Sequence, residues 1–139
     1  MSTNIRPEVS EKKDYWISKH RYYELKHFCM QLPEWRRELK MVDGYPKKAS
    51  SYAKKFLMKT IPDPTEAAAA MREYYQIRID MVEGTAKDVS PQIARYIING
   101  IVNDLSYDAM NARNTIPCSR DEYYKLYREF FRRLSRMRD

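Results

Sequence analysis

Between positions 123 and 137 the apolar side chains recur at three- and four-residue steps: Tyr123, Leu126, Tyr127, Phe130, Phe131, Leu134 and Met137. This is the spacing of one face of an α-helix, and a face so rich in aromatic rings has to be enclosed. The rest of the chain must therefore supply a core around this segment. Arg120, Tyr124, Lys125, Arg128 and Arg132, each about one turn from another of the set, are expected on the opposite side. Residues 119–138 hold seven basic and three acidic side chains, a net charge of +4.

The start of this helix is marked by Ser119 with Glu122 three residues on, a capping-box pattern that satisfies free backbone amides. Upstream, Ser106 is placed to cap a shorter helix. The two are separated by Asn114-Thr115-Ile116-Pro117-Cys118. Asn114 tolerates the left-handed conformation at a helix end, and Pro117 drives Ile116 out of the helical region. A short capped helix, a connection and a basic amphipathic helix is the layout of a helix-turn-helix, in which the second helix enters the major groove of DNA. The same pattern also describes a solvated helix that closes a core and carries arginines for solubility.

Earlier segments repeat the helical theme. Glycine is scarce at three residues, tyrosine plentiful at twelve, and no alternating apolar run suggests a strand, so the predicted class is all-α. Residues 1–13 are polar and expected to be a flexible N-terminus. Residues 14–62 are expected to form an N-terminal helical region. Its first helix is capped by Ser18, runs to about Gln31 and has Tyr22, Leu25, Phe28, Cys29 and Leu32 on its inner face. A second opens at Pro33, carries Trp35, Leu39 and Val42, and ends at Gly44, giving a helical hairpin or kinked pair. Residues 45–62 read either as a helix from Ser50 to Met58 or as a lysine-rich connection.

Residues 63–139 are expected to form one compact domain, a long central helix followed by a three-helix, helix-turn-helix-like unit. Asp63, Pro64 and Glu66 open the long helix, which continues to Ala86 with Ala67, Ala70, Met71, Tyr74, Ile77, Met81 and Val82 as its stripe. Ser90-Pro91 opens the next, a core strut made by Ile93, Ala94, Ile97, Ile98, Ile101, Val102 and Leu105.

Charge limits the partners. Lysine and arginine number 26 against 19 acidic residues, and the excess sits at the two ends: +4 over 1–48, zero over 49–90 and +3 over 91–139. A polyanion such as nucleic acid fits this balance. Lys12, Lys13, Lys19, Arg21 and Lys26, with Arg36 and Arg37, suggest a second cationic surface. The aromatic N-terminal hairpin, with Trp16 and Trp35, is a candidate dimer contact as well as ordinary core. No segment is apolar enough to cross a membrane, and the N-terminus lacks a signal-peptide core, so a cytoplasmic location is expected. Cys29 and Cys118 are too few for a disulfide framework. His20 and His27 lie seven apart near Cys29, but no second ligand pair at zinc spacing accompanies them, so no metal site is expected. Phosphate loops, nucleophile elbows and paired carboxylates are missing from the sequence; neither catalysis nor a cofactor is expected.

The run IARYIINGIVNDLSYDAMNARNTIPCSRDEYYKLYREFFRRLSR resembles the region-4 helix-turn-helix of sigma factors. It also resembles the small phage-encoded late-gene transcription activators of the RinA and ArpU type, over about the last 45 residues. The blocks YWISKHRYYELKHF and IPCSRDEYYKLYREFF are similar to short proteins of Gram-positive phages and prophages. One departure is the connection, which lacks glycine and is longer than the usual tight turn. The resemblance implies a transcription regulator acting on double-stranded DNA in the cytoplasm of a bacterial host. Its reading helix would start at Ser119, with Arg120, Asp121, Tyr124, Lys125 and Arg128 toward the groove. Arg120, Lys125 and Arg128 are suited to guanine edges or phosphates, and Asp121 to cytosine. Arg132, Arg133 and Arg136 are suited to backbone phosphates. A homodimer reading two half-sites would compensate for the weakness of one small reader. The alternatives are a phage structural or assembly protein, and an inhibitor or co-regulator that binds a host protein such as RNA polymerase or a defence nuclease.

Overall fold

The computed structural model describes residues 17–43 and 64–138, and every regular element in them is helical. The helices are α1 (Lys19–Cys29), α2 (Leu32–Asp43), α3 (Pro64–Val89), α4 (Ala94–Val102), α5 (Tyr107–Arg113) and α6 (Arg120–Met137). The expectations for 1–13, for Trp16, Lys12 and Lys13, and for 44–63 lie outside the described residues.

Three serines begin three helices for one physical reason: each hydroxyl accepts a bond from an otherwise unpartnered amide in the first turn. Ser18 Oγ accepts from Arg21 N at 3.2 Å, Ser106 Oγ from Ala109 N at 3.1 Å, and Ser119 Oγ from Glu122 N at 3.2 Å. Ser90 does the same for Ile93 N at 3.3 Å, and the backbone turns through 91–93 before α4 begins.

The described residues fall into two compact units. One holds 32–43 and 64–80. Here Leu32, Trp35 and Val42 of α2 are buried, as are Ala67, Ala68 and Ile79 of α3. Trp35 is enclosed at 5 % exposure, the core alternative of its two expected roles. α3 is 26 residues long, about 39 Å at 1.5 Å per residue. The stripe expected for it is displaced. Of its members Ala67 and Val82 are buried and Met71 and Met81 half-buried, but Ala70, Tyr74 and Ile77 are exposed, and Ala68, Ile79 and Ala86 are buried beside them. The helix carries two apolar rows, and burial selects the one that continues through Val82 to Ala86.

The other unit holds α1, residues 81–89 of α3, and α4 to α6. α6 packs on α1 and α5, and α4 packs on α1 and α5. The sequence groups α1 with α2 and leaves the last three helices to close on themselves. In the structure α1 is part of their core. Tyr22 stacks edge-on against Phe131 at 4.9 Å between centroids, and its hydroxyl meets that of Tyr127 at 2.9 Å. Arg21 donates from Nε to Ser135 Oγ (3.0 Å) and from Nη2 to Ser135 O (2.8 Å). Gly100 lets α4 approach, since a Cβ there would lie 2.6 Å from Tyr123 Oη and 3.2 Å from Leu105 O.

α4 stops three residues earlier than Leu105. Leu105 N donates to Gly100 O (2.8 Å) and Asp104 N to Ile101 O (3.3 Å), the paired bonds of a Schellman ending. Asp104 takes the left-handed position at φ 54°, where glycine is usual. Its carboxylate explains the exception, because it accepts from Lys26 Nζ at 2.9 Å and Lys26 is buried.

Candidate nucleic-acid interface

α6 is 18 residues long, and five side chains of its inner face are wholly enclosed, while Leu126, expected on that face, is half-buried. Tyr123, Tyr127, Phe130, Phe131 and Leu134 are all 0 % exposed. Met137, expected to extend that face, is 54 % exposed, although its sulfur lies 3.0 Å from the buried Thr85 hydroxyl.

Tyr124 departs from expectation. It is buried at 8 % exposure, and its hydroxyl accepts from Tyr107 N at 3.0 Å. Its ring meets Tyr123 at 5.0 Å and Tyr127 at 5.9 Å. Phe131 lies seven residues on and Tyr127 three residues on, so a stripe that contains both also contains position 124. Tyr124 therefore faces α5 and cannot read a groove.

The outward row is Asp121, Lys125, Arg128, Arg132 and Arg136, spaced 4, 3, 4 and 4 residues along about 22 Å of helix. Asp121, Lys125 and Arg136 are exposed, and Arg128 is half-buried. Arg120 is exposed as well, but lies off this row at the helix tip, with its guanidinium 6.0 Å from the Tyr124 ring. Arg132 grips Glu129 with both arms of its guanidinium, Nε to Oε1 at 2.9 Å and Nη2 to Oε2. Arg133 donates from Nε to Glu129 Oε2 at 2.7 Å and from Nη1 to Asp88 O at 3.3 Å. Those hydrogen bonds and charges hold the Glu129 carboxyl down at about 2, against a usual 4.5, so it stays ionised beside the two arginines.

The second cationic surface expected near the N-terminus is reduced. Lys26 is buried against Asp104, and Arg21 is committed to Ser135 and, through Nη1, to Glu24 at 2.6 Å. Lys19, Arg36 and Arg37 are exposed. Arg138 rests 3.9 Å over the Phe28 ring.

The connection into α6 is long but pinned. Ile116 is buried, its N–H donates to Asn111 Oδ1 at 2.8 Å, and Tyr107 Oη donates to Cys118 O at 2.6 Å. Asn114 is extended (φ −145°, ψ 119°) and not left-handed, since the chain leaves α5 without reversing there. Arg113, Asn114 and Thr115 are exposed at this corner, beside the start of α6.

Burial pushes the Cys29 thiol and the Tyr123 hydroxyl far up, which keeps both neutral. Cys118 is raised less strongly, by desolvation and then by Glu122. Among the described residues, no group of three or more His, Cys, Asp or Glu is arranged to hold a metal ion, and no helix is long and apolar enough to cross a membrane. No protein-family model matches the chain, and no curated protein or solved structure is significantly similar to it.

Proposed function

We propose that this protein is a phage-type DNA-binding transcription regulator, similar in role to the RinA and ArpU type, that meets duplex DNA with the outward side of α6. One observation carries this function. A row of four cations headed by an acid lies on a helix whose other side buries five side chains completely, so its charges are held at fixed spacing. Arg120 and Lys125, near the helix tip, are the base readers, and Asp121 is the acceptor for cytosine. Arg128, Arg132 and Arg136 contribute salt-dependent affinity for phosphates, with Arg113 at the adjoining corner. Such a regulator works in the cytoplasm of the bacterial host.

Mobility-shift titration against the DNA flanking its own gene, at two salt concentrations, is the direct test. Binding is expected to weaken steeply with salt, because each neutralised phosphate adds a slope of about −0.9 to log K against log salt. Arg120→Ala and Lys125→Ala are expected to abolish sequence preference while leaving the helical signal intact. Unchanged DNA retention by both variants would falsify this assignment.

Glu129 favours a second function. It already satisfies Arg132 and Arg133, so a polyanion has to compete with it whereas a mixed-charge protein surface does not. The protein would then be a phage assembly component, or an inhibitor of a host protein such as RNA polymerase. A mixed-charge protein surface lacks the counterion-release slope of duplex DNA, so its affinity falls much more gently with salt, which separates the two.

A further inference from the structure

The exposed row of α3 has the pattern of a helix–helix seam. Ala70, Tyr74 and Ile77 follow at steps of four and three, and Tyr74 and Ile77 are each 49 % exposed. They lie away from Ala68 and Ile79, which are buried; Ala67, seven residues before Tyr74, is buried too, so the exposed seam begins at Ala70. Steps of four and three are those of the a and d positions of a coiled coil, a narrower stripe than a core-facing helix needs. Isolated exposed apolar residues are ordinary. Their register and the charges beside them are what single these out.

One flank of the row is acidic, with Glu66, Glu73 and Asp80 exposed. The other flank carries Arg78, whose guanidinium lies 3.6 Å over the Tyr74 ring and donates to Tyr74 O at 3.0 Å. This holds the cation alongside the seam. Asp80 is engaged within the helix, accepting from Gln76 Nε2 at 2.8 Å.

We propose that this face pairs with the same face of a second copy of the chain, parallel and in register. In that orientation the acidic flank of each helix faces the arginine flank of the other. Glu73 then meets Arg78 of the second copy five positions on, the spacing of interhelical ion pairs in parallel coiled coils, and symmetry forms the pair twice. The antiparallel orientation sets Glu73 against Asp80 of the second copy, like charge against like. The charges thus select both the occupant and its direction. With so short a seam the association is weak and concentration-dependent, as for interfaces burying less than about 1,200 Å². It is independent of the DNA-binding function, since mass in solution requires no nucleic acid.

Sedimentation equilibrium of the full chain over a concentration series tests the pairing. The mass is expected to rise from 16.7 kDa toward twice that value. Ile77→Ser is expected to hold it at the monomer with unchanged helicity. Glu73→Arg and Arg78→Glu should each weaken association about five- to tenfold, and the double reversal should restore it. A chain that stays monomeric throughout, or single reversals that leave the mass unchanged, overturns the proposal. So does tighter association of Glu73→Arg alone, the result expected of antiparallel helices.

Discussion

Asp104 does two jobs that conflict at the level of backbone preference. The left-handed corner after α4 favours glycine, yet glycine would leave the buried Lys26 ammonium without its carboxylate. Removing one partner of a fully buried pair costs about 3–5 kcal/mol, whereas replacing both by apolar groups is often neutral. Since the Asp104 side chain is 40 % exposed, Asp104→Gly is expected to cost less, about 2 kcal/mol, in urea denaturation. Lys26→Met together with Asp104→Gly should recover most of that loss. If Asp104→Gly alone is stabilising, relief of the backbone outweighs the charge. Glu129 gives a pH signature with a definite sign. Its folded-state value of about 2 lies below the usual 4.5, so its contribution is fully present above 4.5 and is lost as pH falls toward 2. Glu129→Gln should flatten this part of the acid limb, read as thermal midpoints at stepped pH. An identical acid limb in the variant would show that the two arginines do not stabilise the folded carboxylate.

At the scale of the element, α6 is an aromatic wedge whose inner side contributes five fully enclosed side chains. Phe130→Ala is expected to destabilise by about 3–5 kcal/mol, the range for deleting a large buried ring, measured by chemical denaturation. A loss below about 1 kcal/mol would mean that the wedge collapses around the gap. The helix was largely legible in advance because its signals agree: serine cap, stripe and charge bias all place it over nearly the same residues. Tyr124 was misplaced because a tyrosine is compatible with either side, and only its sevenfold relation to Phe131 decides. α3 shows a deeper limit. Its two apolar rows are equally helical, and which one is buried depends on partners distant in sequence. The ending of α4 was hidden for a different reason, because Asp in a left-handed position is justified only by a lysine 78 positions away.

For the whole molecule, the composition and spacing sufficed for the all-α class, but not for the company that α1 keeps. α1 supplies Tyr22 to the ring cluster, Lys26 to the α4 corner and Arg21 to the end of α6. Residues 91–139 made alone should therefore lack a cooperative thermal transition, with weak near-ultraviolet dichroism. A sharp, native-like melt of that fragment would show that the last three helices need no other wall. DNA binding by the full chain and failure of the fragment to bind would follow from the same dependence.

The bonds between α1 and α6 join residues 105 and 114 positions apart. While the chain is being synthesised, Tyr22 of α1 waits for its partners Tyr127 and Phe131 until α6 has been made. Loops of that length close slowly relative to local helix formation. The interval before closure is when stray association threatens, and a holdase chaperone or a slower initiation rate would be felt most strongly there.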